Sequence, residues 1–251
     1  MRGKLIVLEG TDGSGKATQT RMLVSRLQAE NMVVTPLSFP RYDKPSSKLV
    51  QMYLKGAFGD DPKAVSPYEA SKFYAIDRYC SFVEDWGKTY EEGGVIVTDR
   101  YTTANAVHQA SKMSKDDRYT FFRWLSKCEY EDMGIPEPDL VIYLDMPLDV
   151  TEKLMRQRED LTATKADIHE KDMEYLAQCK EAAMDAALYY GWHIIRCAEN
   201  GEPKSVEKIH EEVYEVVKIL LAKILSEALA DTYQTITKFV KKIYPREGEG
   251  G

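Results

Sequence analysis

The run KLIVLEGTDGSGKAT, residues 4–18, decides the fold. A short apolar stretch, Leu5 to Leu8, leads into a glycine-rich turn, and apolar residues at helical spacing (Met22, Leu23, Leu27) follow. Gly10, Gly15 and Lys16 satisfy the spacing G-x-x-x-x-G-K. Between a strand and a helix that spacing has a mechanism: residues without bulky side chains let successive backbone N–H groups converge on a phosphate at a helix N-terminus, and the lysine adds a point charge. Gly10, Asp12, Gly13, Ser14, Gly15, Lys16, Ala17 and Thr18 are therefore expected to line a phosphate site. Ala17 stands where such loops usually carry the hydroxyl that reaches a magnesium ion. Thr18 beside it and the carboxylates of Glu9 and Asp12 are other means of holding the ion, directly or through water. The substitution weakens the expectation of a metal and leaves that of a phosphate.

Further apolar runs lie at VVTPLSFP (33–40), GVIVTDR (94–100), DLVIYLD (139–145) and WHIIRC (192–197). Each is rich in Val, Ile and Leu without clear alternation, as expected for parallel strands buried on both faces. Helical stretches are expected between them, at 16–30, 45–56, 66–92, 102–131, 147–160 and 170–190. This succession predicts an α/β fold, a doubly wound parallel sheet of five strands flanked by helices, with ligands at the carboxyl ends of the strands. Residues 204–243 continue the helical pattern, the first part covering the sheet and the part from about 226 forming an amphipathic extension. The final REGEGG is expected to be disordered. With no internal repeat or linker, one domain spanning 1–225 is expected, followed by the 226–251 extension.

The net charge of −7, from 34 basic and 41 acidic residues, argues against a chain whose task is to coat nucleic acid or an anionic membrane. Cys80, Cys128, Cys179 and Cys197 form no C-x-x-C pair and the histidines are scattered, so neither a zinc site nor a disulfide framework is indicated. Reduced thiols in a cytoplasmic protein fit this usage. The N-terminal apolar run is too short for a signal peptide core or a membrane span.

A phosphate loop alone leaves GTPases, ATPases and kinases open. A switch GTPase needs D-x-x-G and N-K-x-D at later strand ends, where this chain has TDRY and LDMP. It offers instead arginines beside aromatic residues: FPRY (39–42), KFYAIDRY (72–79) and VTDRY (97–101), followed by TTANAVHQASK (102–112). Guanidinium forks suit phosphate oxygens, and a neighbouring aromatic ring suits a stacked base. Together they describe a second nucleotide pocket facing the first. The blander reading pairs Arg78 and Arg100 with their neighbours Asp77 and Asp99 as structural ion pairs.

The chain resembles the thymidylate kinase family from residue 3 to about 220, on the motifs EGTDGSGK, SFPRY, FYAIDR, DRYTTANAVHQ, GIPEPDLVIYLD (134–145) and MRQRED (155–160). The resemblance implies a P-loop kinase fold with a mobile lid around 153–172, and transfer of the γ-phosphoryl group of ATP to dTMP with Mg²⁺. It implies that Asp12 contacts the sugar 3′-hydroxyl and helps organise the metal, that Tyr42 lies near the acceptor phosphate, and that Tyr74 stacks on thymine. Arg78 and Asn105 would read the base edge with Gln109 nearby, Arg100 would hold the acceptor phosphate, and Asp99 would orient Arg100 or a metal-bound water. The loop TDGS carries no arginine, so the charge-neutralising role falls on Arg156 and Arg158 of the lid, with Lys165 and Lys171 as weaker candidates. His108 departs from the family's Tyr or Phe beside the sugar. The adenine is expected near CAENGEP (197–203), and a homodimer is implied. A kinase of other specificity, such as UMP, or a nucleotide-binding regulatory protein without turnover are the alternatives.

Overall fold

The computed structural model describes residues 2–59, 64–154 and 173–243. Five parallel strands, β1 (Lys4–Glu9), β2 (Val34–Ser38), β3 (Val95–Asp99), β4 (Leu140–Asp145) and β5 (His193–Arg196), are ordered β2-β3-β1-β4-β5. The strand carrying the phosphate loop is thus central, with β3 and β4 as its neighbours. Leu5 to Leu8 have no exposure at all, as a strand covered on both faces requires. β2 and β5, at the edges, are only partly buried, and Pro36 sits in β2 where a missing backbone donor is tolerated.

Register brings the strand ends level. Leu8 of β1 lies opposite Asp99 of β3, and Asp99 lies opposite Ser38 of β2. These carboxyl ends form the crevice where a doubly wound sheet takes its ligands.

The helices are α1 (Lys16–Ala29), α2 (Lys48–Leu54), α3 (Pro67–Ser81), α4 (Gly87–Glu91), α5 (Thr103–His108), α6 (Lys115–Ser126), α7 (148–154), α8 (Met173–Tyr190) and α9 (Val206–Ile243). α3 starts cleanly because Ser66 caps it with Glu69 in a reciprocal capping box and Pro67 follows at the first position. The stretch 66–92, expected as one helix, contains a wide π turn at Phe82–Trp86 that joins α3 to α4. A second π turn, Lys127–Asp132, follows α6, and Met133 N–H donates to Cys128 O at 3.1 Å across it.

One expectation needs correction. The stretch 102–131 is not one helix: Met113 is extended, and Ser114 accepts from Asp117 N–H to start a new helix. The competing cap explains the break, since Ser at an N-cap outweighs continuation of the preceding turn. The segment 198–203 forms an antiparallel ribbon of β6 (Ala198–Glu199) and β7 (Glu202–Pro203). Asn200 (φ 54°) and Gly201 (φ 78°) make its turn, the Asn-Gly signal of a two-residue hairpin.

A buried aromatic and aliphatic core joins Leu5, Val7 and Ile96 of the sheet to Phe121, Phe122 and Leu125 of α6 and to Ala182, Ala183 and Ala186 of α8. Residues up to Val213 form one compact unit, and the run from Tyr214 forms a second. The second continues α9 through the expected boundary near 226 to Ile243, with Tyr233 and Ile236 exposed. No helix among the described residues is long and apolar enough to cross a membrane.

Candidate active site

Gly10 leaves β1 in a gap that a side chain would close: a Cβ there would lie 2.6 Å from Ser14 Oγ and 2.9 Å from the backbone oxygen of Leu144. Gly13 and Gly15 adopt left-handed backbones (φ 80° and 89°) that glycine takes without steric cost. Gly15 then caps α1 with no side chain bonded to the first-turn amides and no acidic residue in that turn. A helix start left open in this way presents N–H groups and a positive dipole end to an anion.

The Lys16 side chain is nearly enclosed; its Nζ donates to Thr11 O at 2.9 Å and lies 3.7 Å from Asp12 Oδ1. Burial and the Arg100 guanidinium push the ammonium below its ordinary pKa, while Asp12 and Glu9 oppose them. Asp12 is itself hydrogen-bonded by Arg100 Nη2. Burial disfavours ionisation of Asp12, but Arg100 and Lys16 outweigh it and hold its carboxyl at about 2.

Arg100 has a left-handed backbone (φ 66°), which costs a non-glycine residue about 1–2 kcal/mol. Its N–H donates to Leu8 O at 3.1 Å and its carbonyl accepts from Thr98 Oγ1 at 2.7 Å, and these bonds offset that cost. The turn they fix aims the guanidinium back over the phosphate loop. Asp12, Gly15, Lys16, Thr18, Asp99 and Arg100 are among the walls of a cavity of about 430 Å³, and Ala17 also faces it.

The carboxylates divide by role. Glu9 is fully buried, with Oε1 accepting from Gly10 N–H at 3.0 Å and Oε2 from Thr103 Oγ1 at 2.7 Å; burial raises its pKa. It braces the loop against α5. Asp99 Oδ1 is buried without a hydrogen-bond partner among the described residues, and burial raises the pKa of that carboxyl against the pull of Lys16 and Arg100. No cluster of three or more His, Cys, Asp or Glu poised for a metal occurs among the described residues.

On the other side of the crevice, two adjacent residues of α3 point to different partners. Asp77 Oδ2 accepts from Arg41 N–H at 2.8 Å and Oδ1 from Ser46 Oγ at 2.5 Å, fixing the FPRY loop that carries the exposed Tyr42. Arg78 turns to Glu129: its Nε and Nη2 donate to the two carboxylate oxygens at 2.6 Å each, and both side chains are enclosed. Burial opposes the charge on Arg78, and Glu129 more than compensates, raising its pKa. The neighbour pairings weighed in the sequence are therefore replaced by pairs distant along the chain, Arg78 with Glu129 and Arg100 with Asp12.

Asn105 joins the same cluster, its Nδ2 donating to Ser71 O at 3.3 Å and to Glu129 Oε1 at 3.4 Å. Tyr74 meets Tyr53 edge-on with ring centres 6.3 Å apart, and burial raises its pKa, with Tyr53, Tyr42, Arg100 and Arg78 acting on it electrostatically. Gln109 is buried and accepts from Lys112 Nζ at 3.0 Å, which also donates to the Tyr53 hydroxyl at 2.7 Å. His108 Nδ1 lies 3.0 Å from the Tyr175 hydroxyl and Nε2 is enclosed without a partner among the described residues. Burial, then Arg100, lower the His108 pKa to about 3.

The structure thus gathers Asp12, Lys16, Asp99 and Arg100 at one cavity, and Arg78 and Asn105 at one carboxylate. Arg156, Arg158, Lys165, Lys171 and all of the expected 153–172 lid from residue 155 onward lie outside the described residues. None of residues 197–203 lines the loop cavity. Sequence reasoning missed Glu129, Tyr53, Lys112 and Tyr175. Glu129 had a signal: it falls four residues after Leu125 on the inner phase of the pattern Phe121, Phe122, Leu125, where a charge is out of place.

The thymidylate kinase family model matches residues 8–213. A thymidylate kinase of Mycobacterium tuberculosis is 28% identical over 192 residues, covering 75% of this chain and 87% of that protein. The human thymidylate kinase is 31% identical over 147 residues, covering 59% of this chain and 63% of its own. A solved thymidylate kinase structure from Candida albicans superposes with a TM-score of 0.63 at 21% identity, covering 87% and 92% of the two chains, and at that identity supports the fold alone. A glycine loop opening an uncapped helix, a DRY arginine turned back on that loop and a match over most of the length lead to one conclusion: this chain belongs to the thymidylate kinase family.

Proposed function

We propose that this chain is a phosphotransferase that moves the γ-phosphoryl group of ATP to dTMP, giving dTDP and ADP. The observation that carries the reading is the contact between Arg100 and Asp12, which ties the DRY turn to the phosphate loop and sets a guanidinium beside the Lys16 ammonium at one cavity. ATP phosphates would lie along the amides of residues 10–18, and the dTMP phosphate against Arg100 with Tyr42 nearby. Tyr74 would take one face of the thymine, with Arg78 and Asn105 at its edge and Gln109 beside them.

The acceptor is a phosphate already ionised near neutral pH, so no general base is needed, and catalysis reduces to alignment and to cations around the transferring group. Lys16 and Arg100 would supply two such cations, and Arg156 and Arg158 the rest. Asp12 and Asp99 fit a magnesium ion: one buried oxygen of Asp99 has no partner among the described residues, Asp12 is ionised in the same cavity, and such an ion needs only one or two carboxylates besides water and phosphate oxygens. Magnesium bound there would neutralise charge on the donor phosphates. Ala17 contributes no hydroxyl; Thr18, the next residue, lines the same cavity.

The catalytic body would run to about 225, with 226–251 as its extension. A homodimer is supported by Ile76, Tyr79 and Val83, exposed by 38%, 42% and 64% at helical spacing on α3 and the turn after it. Cytoplasmic placement is supported by the buried free thiols of Cys179 and Cys197, both raised in pKa by burial. The test is ADP formation with dTMP, UMP, dUMP and AMP as acceptors. The highest kcat/KM is expected with dTMP; a preference for UMP overturns the assignment, and no turnover with any acceptor supports a regulatory binder.

A further inference from the structure

We propose that Glu129 is a positioning residue of the acceptor site, locking Arg78 and Asn105 so that together they present a donor and an acceptor to a 4-keto pyrimidine and reject a 4-amino one. This rests on the reading that Arg78 and Asn105 face the base.

Glu129 is fully buried in the π turn after α6, and wide turns of this kind recur at functional sites. Three parts of the fold converge on its carboxylate: Arg78 of α3 through two bonds of 2.6 Å, Thr102 of the β3–α5 turn through Oγ1 at 3.1 Å, and Asn105 of α5 through Nδ2 at 3.4 Å. A buried ion pair adds little stability over an apolar pair of the same volume, so stability is a poor account of it. Geometry is a better one. The two-pronged bond fixes the guanidinium plane, and Nη1, 3.3 Å from Tyr101 O, keeps a second N–H to donate.

The same carboxylate orients the amide. With its N–H₂ group directed at Ser71 O and Glu129, Asn105 has Oδ1 as its acceptor end. A guanidinium N–H beside an amide oxygen is complementary to the C4 carbonyl and N3–H of thymine. Cytosine carries an amino group at C4 and a bare N3, the reverse pattern, and meets both groups with the wrong sign.

The test compares dTMP with dCMP. Glu129→Gln keeps the size of the side chain but brings an N–H₂ group of its own into the cluster. It is expected to raise the KM for dTMP about tenfold or more and to lower the dTMP to dCMP preference in kcat/KM about tenfold, the scale of one charged hydrogen bond, with the KM for ATP within about twofold. A loss of folding alone would not separate the substrates. If the Gln variant does not fold, Glu129→Asp replaces it; the retained charge spares the fold, the shorter reach withdraws the carboxylate, and the same loss of preference is expected. A folded Gln or Asp variant with parental preference overturns the proposal. The paired variant Arg78→Met, Glu129→Met removes both charges together and tests the underlying reading: undiminished preference there means that Arg78 does not read the base, which removes the proposal's ground, whereas lost preference there with parental preference in the Glu129 variants overturns the positioning role alone.

Discussion

The two halves of the crevice are built by different means. The half proposed to hold the donor is one continuous stretch, residues 9–18, whose grip would come from backbone amides, three glycines and one lysine. The half proposed to hold the acceptor comes from the FPRY loop, α3, the β3–α5 turn and the π turn after α6, joined by buried pairs between residues 36 and 51 positions apart, Arg41 with Asp77 and Arg78 with Glu129. A backbone grip is written in consecutive residue types. A side-chain grip depends on partners that only the fold brings together. Arg100 links the two: it stands in the β3–α5 turn, and its backbone bonds to β1 and its side chain to Asp12.

Lys16→Ala should break the donor half alone. Turnover is expected to fall by on the order of 10²–10³, the usual consequence of removing one fixed charge-stabilising donor, while dTMP affinity stays within about threefold. Steady-state kinetics set beside equilibrium dTMP binding make the check; an equal loss in both would mean that the halves are not separable.

Arg100→Ala should sharpen the boundary. The KM for dTMP is expected to rise about tenfold or more, on the scale of a lost charged hydrogen bond, and that for ATP much less. Equal rises would count against its assignment to the acceptor phosphate. Tyr74→Ala stays within the acceptor half and should weaken dTMP binding by about 1–3 kcal/mol if the ring stacks on the base, with ATP binding unchanged. Unaltered dTMP affinity in a calorimetric titration would reject the stacking role.

The smallest effect concerns pH. His108 is faced by Asp12, Arg100, Lys16 and Lys112, with Tyr175 and Cys179 packed on it from α8. Its pKa is about 3 in the fold against 6.5 for a free side chain, so the unfolded chain takes up a proton that the fold refuses. The contribution to stability is intact above pH 6.5 and lost as pH falls from there toward 3. Between pH 7 and 5 the parent should lose about 1–2 kcal/mol more than His108→Gln in denaturant titrations. Parallel profiles would show that His108 titrates normally.

What could be read from the sequence follows the same division. The five parallel strands and the strand–glycine turn–helix at residues 4–29 were legible, because apolar runs and glycine spacing are local signals. Of the catalytic set named from the sequence, Lys16, Asp12 and Arg100 line one cavity together with Asp99, while Arg156 and Arg158 lie outside the described residues. The break at Met113 was not legible, because a strong helical pattern hid the Ser114 cap, and the Asn200-Gly201 hairpin was passed over despite its turn chemistry. Glu129 was missed because its partner is 51 residues away and nothing local marks a buried carboxylate except its phase on the helix.

The central claim is that two nucleotides are held at once, one by loop amides and one by side chains anchored in the core. Calorimetry of dTMP into protein saturated with an unreactive ATP analogue tests it most directly. The account predicts one dTMP per chain bound without displacement of the analogue, and affinity that falls in Tyr74→Ala and holds in Lys16→Ala. Displacement of the analogue by dTMP, leaving a single nucleotide on each chain, would contradict it.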